Sequence, residues 1–229
     1  LLKLLFYNFL DKIITNSVGS AKSLRYLVFN SKKINPIYNP YLKKINKKNF
    51  KKKNYIINIG RLRKQKDQQT LLVAFKLFLE KNKKYKLLIL GHGNLKKELK
   101  LTCKKLNITN KVIFKGWVSN TLPYLKKSKI FVLSSVYEGF GNVLVDAINY
   151  NVPCVSTNCP SGPNEILLNG SGGYLTKTKS PKLLAEKMIL SINNYQLSMS
   201  KNSKAKIKLN RFLVDKNTKK YFIYLESFM

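Results

Sequence analysis

The chain has 229 residues, 44% of them apolar, enough to fill a core, so disorder is excluded as the default state. Forty-four Lys and Arg against 10 Asp and Glu give a formal charge of +34, which taken alone points to nucleic acid or an anionic membrane surface. Only Arg25, Arg61, Arg63 and Arg211 are arginines, and Asn and Ile are abundant, so the lysine-rich composition of AT-rich coding accounts for the same charge without any polyanion.

Residues 1–10 are apolar and helix-like but short and interrupted by Lys3, and the other apolar runs are strand-sized, so no membrane span or signal peptide is expected. The start at Leu1, with no capping residue ahead of an apolar segment, suggests a fragment. Residues 13–15 read as a short strand, and a helix follows as far as Phe29. Pro36, Pro40 and the polar lysine run 43–53, which has no apolar period, mark a linker or domain boundary.

From residue 55 onward, strands over 55–59, 86–90, 112–114, 130–134 and 152–156 alternate with helices over 67–82, 95–106 and 142–149. Leu71, Leu72, Phe75, Phe78 and Leu79 place one apolar stripe along the first of these helices. Ser119 and Ser180 stand at N-cap positions, with Pro181 at a first helical position. The alternation predicts an α/β fold, a doubly wound sheet of five parallel strands with helices on both faces. A tail from about residue 200 reads as two helices broken near Asp215. Cys103, Cys154 and Cys159 have no zinc or CxxC spacing, and their odd number suits a reducing cytoplasm better than a disulfide framework.

Open α/β sheets bind ligands at the carboxyl ends of their strands, and the scarce acids Glu138, Asp146 and Glu165 fall near two such ends. Glu138-Gly139-Phe140-Gly141-Asn142 leads from a strand directly into the helix over 142–149. The glycines let a ligand approach the backbone, and the free amides at the helix start, including Val143, favour an anion such as phosphate. Asp146, one turn into that helix, could reach hydroxyls beside the phosphate. A Gly-Phe-Gly turn is equally a plain strand-to-helix connection; the flanking carboxylates favour a site. Gly60 to Asp67 forms a second candidate, in which Arg61 and Lys66 could neutralise a diphosphate. Gly91-His92-Gly93-Asn94 is a third, although one histidine assembles no nucleophilic triad and reads as a loop residue.

In order and spacing, these segments resemble the retaining nucleotide-sugar glycosyltransferases of family 4, of GT-B fold. Gly60-Arg61-Leu62 with Lys66 is similar to the family's phosphate loop, Gly91-His92-Gly93 to its second glycine turn, and Phe114 to Val118 to the strand end lining the base pocket. The run from Ser134 through Glu138 to Asp146-Ala147, followed by Val152-Pro153, Ser156-Thr157 and Pro160-Ser161-Gly162-Pro163-Asn164-Glu165, resembles its signature segment, in a bacterial surface-polysaccharide branch. The resemblance implies that Arg61 and Lys66 hold a diphosphate, that Glu138 contacts the sugar and that Asp146, where the family usually has Glu, contacts the ribose. Gly60, Gly91, Val118, Gly139, Phe140, Gly141, Asn142 and Val143 would line the rest of the donor site. It further implies a remnant of the acceptor-binding domain over 1–45, a Rossmann-like donor domain over 46–205, and a terminal helix over 206–229 crossing back. The expected reaction moves a sugar from a UDP-sugar, such as a UDP-N-acetylhexosamine, to a polysaccharide or polyprenyl-linked acceptor with retention of configuration. No cofactor, metal or nucleic acid is expected. A missing domain supplied in trans and peripheral contact with the anionic inner leaflet are further expectations. The alternative is a non-catalytic or degenerate nucleotide-sugar-binding fragment.

Overall fold

The computed structural model describes residues 2–227. Helix α1 (Leu2–Phe9), strand β1 (Ile13–Thr15), helix α2 (Val18–Arg25) and strand β2 (Ile34–Pro36) form a small unit in which β1 and β2 pair in parallel, Ile13 opposite Ile34. Ile13, Ala21, Val28 and Ile34 make its core. β2 was not expected, because it contains a proline; Pro36 is tolerated as the last residue of a strand in a two-stranded sheet. α2 also stops at Arg25, short of Phe29.

The second sheet comprises β3 (Tyr55–Ile59), β4 (Lys86–Leu90), β5 (Val112–Gly116), β6 (Ile130–Leu133), β7 (Cys154–Thr157) and β8 (Tyr174–Thr176). Its helices are α3 (Gln68–Lys81), α4 (Lys96–Lys105), α5 (Leu122–Lys127), α6 (Asn142–Asn149), α7 (Pro163–Ile166), α8 (Pro181–Asn193) and α9 (Tyr195–Ile207), with α10 (Val214–Glu226) closing the chain. The strand order is β5-β4-β3-β6-β7-β8, with every pair parallel. The sheet therefore has six strands rather than five. β8 escapes the sequence pattern because it is three residues long and follows a Ser-Gly-Gly stretch, so it carries no alternation of its own.

Burial on both faces explains why these strands read as continuous apolar runs. Ile56, Leu87, Ile89, Ile130 and Val132 pack with α3, α4 and α8 on one side. Ile57, Leu88, Leu90, Phe131 and Leu133 pack with α5, α6 and Ala205 of α9 on the other. The chain runs from β3 outward through β4 and β5, then returns to lay β6 on the opposite side of β3. This reversal opens a crevice between the loops after β3 and β6, the usual ligand position in such sheets.

One expected cap is corrected and one stands. The N–H of Leu122 at the start of α5 donates to Asn120 Oδ1 at 3.0 Å, so Asn120 serves there rather than Ser119. Ser180 does precede α8 with Pro181 at its first position, but its hydroxyl makes no capping bond. The tail breaks over Lys208–Phe212, a 3-10 turn, and Asp215 lies in the first turn of α10, where the helix dipole favours a carboxylate.

The lysine run 43–53 has no regular structure, as expected, yet it is pinned. Asn46 N–H donates to Asn149 Oδ1 at 2.8 Å, and Leu42 bridges Leu213. The small unit is tied to the large sheet through Glu165, whose carboxylate accepts the N–H groups of Val18 (3.0 Å) and Gly19 (2.6 Å) at the start of α2 and the Tyr38 hydroxyl (3.1 Å). Its carbonyl takes Arg211 Nη2 at 2.7 Å. Glu165→Ala should lower stability in urea unfolding by about 2 kcal/mol and remove hydrogen-exchange protection at Val18 and Gly19; unaltered protection there would contradict the clamp.

Candidate active site

Lys66 and Glu138 meet across the crevice between β3 and β6. Lys66 ends a 3-10 turn (Lys64–Lys66) after β3, and Ser134 at the end of β6 holds its carbonyl with a 2.7 Å bond from Oγ. The two loops are stitched further by Val136 N–H to Gln65 O at 2.9 Å and Gln65 Nε2 to Tyr137 O at 3.0 Å. Lys66 Nζ then lies 2.6 Å from Glu138 Oε1, with side chains only 14% and 6% exposed. The same oxygen accepts Ser135 Oγ at 2.5 Å. Ser135 is itself fixed from β7, where Thr157 Oγ1 donates to its carbonyl at 2.6 Å. A mostly buried charge that is paired and hydrogen-bonded in this way has one orientation. Among the described residues this is the only ion pair.

Glu138 leads through the loop to α6. The Gly139 carbonyl accepts the Ser17 and Ser20 hydroxyls at 3.1 and 3.3 Å, so the small unit touches the loop directly. The Phe140 ring is buried against Tyr38 and Phe212, with centroids 5.6 and 5.0 Å away. Any contact of Phe140 with a donor therefore falls to its backbone. Gly141 caps α6 at φ +97°, a conformation that strains a residue bearing Cβ. The amides of Asn142 and Val143 begin α6 without intrahelical partners, and Asn142 Oδ1 is buried without a hydrogen bond. The two free amides form a local concentration of positive potential.

Asp146 meets neither Lys66 nor Arg61. Its Oδ2 accepts the Tyr41 hydroxyl at 2.5 Å. Burial pushes its carboxyl up to about 6, and the bond from Tyr41 pulls in the opposite direction. Arg61, Arg63, Lys64, His92, Gly93 and Asn94 line a basic cleft of about 360 Å³ at the ends of β3 and β4. At Gly91, φ is +136° and a Cβ would stand 2.0 Å from Gly60 O, so only glycine lets the two loops close. Val118 stands at the far edge after β5, with exposed Trp117, on a groove of about 720 Å³. In sheet order the carboxyl edge therefore presents Val118, Gly91, then Gly60, Arg61 and Lys66, then Glu138 to Val143, with Asp146 below.

Sequence reasoning found the residues of this edge and included Ser134 and Thr157 in the resembling segment without a role, but it did not see that they and Ser135 fix the central pair, nor that Tyr41 fixes Asp146. Two adjacent serines at the end of an apolar strand, ahead of the acidic loop, were the available signal for the first set. No group of three or more His, Cys, Asp and Glu residues among the described residues could hold a metal ion.

The family described as glycosyl transferases group 1 matches residues 42–208. The chain belongs to this family. An uncharacterized glycosyltransferase of Methanocaldococcus jannaschii is 40% identical to this group 1 chain over 159 residues, covering 68% of this chain and 39% of the relative. A Campylobacter jejuni 4-alpha-N-acetylgalactosaminyltransferase, whose name specifies a diphospho-undecaprenol substrate, is 30% identical over 214 residues, covering 91% and 58%. The chain thus spans 39% and 58% of the lengths of these two relatives. Anabaena HepE, solved with UDP and glucose, superimposes with a TM-score of 0.85 at 20% identity over 99% of this chain and 66% of that one, which establishes the GT-B fold. In this group 1 chain, Lys66→Ala or Glu138→Ala should each destabilise by about 3 kcal/mol through the stranded buried charge, with the double variant well short of the sum. Additive losses in a double-mutant cycle would show the pair to be uncoupled.

Proposed function

We propose that the chain binds a nucleotide-diphosphate sugar along the carboxyl edge of its large sheet and serves transfer of that sugar to a polysaccharide or polyprenyl-linked acceptor. The observation that carries this reading is the Lys66–Glu138 pair, placed at the topological switch beside the amino end of α6. As the bond from sugar C1 to the diphosphate oxygen breaks, negative charge grows on the leaving oxygen. Lys66 and the amides of Asn142 and Val143, fixed by the ion pair and by the helix, stabilise it, and the exposed Arg61 adds its charge from the neighbouring loop. Glu138, oriented by Lys66 and Ser135, is free at Oε2 to accept sugar hydroxyls, and Asp146 takes the ribose. The resemblance to retaining enzymes supports retention of configuration. A UDP-N-acetylhexosamine donor and a lipid-linked acceptor are favoured by the UDP in HepE and by the name of the Campylobacter relative.

The small unit and α10 fit a remnant of an acceptor-binding domain. Phe6, Phe9, Tyr26 and Phe29 are 66–87% exposed, and Phe222 and Ile223 of α10 are exposed as well. Apolar surface of this kind suits packing against the remainder of such a domain. A non-catalytic nucleotide-sugar-binding module is the second reading. It is favoured by the short Asp146 and its engagement with Tyr41, and it predicts UDP-sugar binding with no transfer even when an acceptor domain is added.

Lys66→Ala should weaken UDP binding in calorimetry by about 10-fold or more, the worth of a charge-assisted hydrogen bond, while leaving uridine binding nearly unchanged. Equal losses for both ligands would remove Lys66 from the diphosphate. No helix among the described residues is long and apolar enough to cross a membrane, so contact with a membrane is proposed as electrostatic and peripheral. Sedimentation with vesicles should rise with phosphatidylglycerol content and fall with salt; indifference to anionic lipid would exclude it.

A further inference from the structure

Asp146 shares an outward stripe of α6 with Asn142 and Val143, whereas Leu144, Val145, Ala147 and Ile148 are buried. Its carboxylate receives one hydrogen bond from the described residues, from Tyr41. Tyr41 arrives from the segment between the two sheets, and its backbone is held in place. Its N–H and that of Leu42 both donate to Phe212 O, at 3.2 and 2.9 Å, and Val214 N–H returns to Leu42 O at 2.9 Å.

Of the other charged groups on elements packed against α6, Lys43, Lys44 and Lys204 are exposed to solvent, and the rest are engaged elsewhere. Glu165 of α7 binds α2 and Tyr38. Lys201 and Lys206 of α9 donate to Gly170 O and Asn151 Oδ1, and Arg211 to Glu165 O. Lys52 donates to Tyr150 O at the far end of α6. Tyr41 is therefore the hydrogen-bond partner that sets the direction of the Asp146 carboxylate, and its bond opposes the rise that burial imposes on the carboxyl.

We propose that Tyr41 is a positioning residue of the nucleotide site, holding Oδ2 of Asp146 so that Oδ1 faces the ribose 2′- and 3′-hydroxyls of the donor. The assignment rests on the donor-site reading above. It gives a role to the shorter acid: aspartate lacks the reach of glutamate, and the tyrosine compensates by removing its rotational freedom, which a ribose would otherwise have to restrict on binding. Selectivity for a ribonucleotide then depends on a residue from outside the donor-binding unit.

Ionisation supplies the readout. Burial carries the Asp146 carboxyl up to about 6, and the Tyr41 bond opposes that rise, so Tyr41→Phe leaves it higher still. An ionised carboxylate is the better hydrogen-bond acceptor, so the ribose contribution weakens as pH falls through the carboxyl's midpoint. Calorimetry on the chain with UDP and with 2′,3′-dideoxy-UDP, from about pH 5.5 to 9, isolates this contribution, because both ligands carry the same titrating diphosphate.

Tyr41→Phe should move the midpoint of the UDP advantage upward by about one pH unit, a loss of about 2-fold at pH 7, about 5-fold at pH 6 and nothing at pH 9. Dideoxy-UDP binding should not change, and Asp146→Asn should make the UDP advantage small and independent of pH. An unmoved midpoint in Tyr41→Phe, or equal losses for both ligands, would overturn the assignment. If UDP binds but the unmodified chain does not distinguish it from dideoxy-UDP, the proposal fails while the donor site stands. Absence of UDP binding removes the donor site and the proposal together. Should Tyr41→Phe not fold, carbon-13 titration of the Asp146 carboxyl in the unmodified chain replaces it. Its midpoint should fall with UDP and stay put with dideoxy-UDP, and no response to UDP would again overturn the idea.

Discussion

A sheet whose strand order reverses next to its central strand leaves two loops diverging from neighbouring strands, and here a single buried ion pair closes that divergence. Lys66 comes from the loop after β3 and Glu138 from the loop after β6, and each is braced from behind by a serine at the end of β6. The pair therefore depends on the parallel register of β3 with β6 and of β6 with β7. It also sets where α6 begins, and so where the helix amides point. Fold and site are joined here: the topology creates the crevice, and the charges across it give the crevice a fixed chemical polarity.

The surrounding charge is handled in a different way. With 44 cations and 10 acids, most lysines have no carboxylate to meet, and the structure gives many of them carbonyls and rings instead. Lys111 and Lys201 donate to the carbonyls of Lys83 and Gly170 at 2.7 and 2.8 Å. Lys129 lies 3.5 Å from the ring centre of Tyr195, and Lys126 stands over both Phe50 and Tyr150. Lys52, half-buried and near Lys129 and Lys206, is lowered to about 8, mainly by burial. Neutral acceptors and aromatic faces let the chain carry its charge without a network of salt bridges.

The central strands and the site-bearing loops were legible because burial on two faces writes continuous apolar runs and the ligand edge writes glycines and acids after them. Residues 55–59 and 86–90 match β3 and β4 end for end. Elements set by tertiary context were not legible. β8 is a strand because Val155 and its neighbours offer it an edge, and β2 because β1 does. The same limit applied within the site. Arg61, Lys66, Glu138 and Asp146 could be nominated from type and order, but the bond between Tyr41 and Asp146 spans 105 positions and leaves no local pattern. Phe140 looked like part of a ligand loop, whereas its ring is core.

Glu165 gives the molecule a joint. One side chain grips the first amides of α2 and the Tyr38 hydroxyl, while its own carbonyl is held by Arg211, so three separate segments of the chain converge on one residue. A second contact, the Ser17 and Ser20 hydroxyls on Gly139 O, lies next in the chain to Glu138. A displacement of the small unit is therefore passed to Gly139, the residue next to the central ion pair.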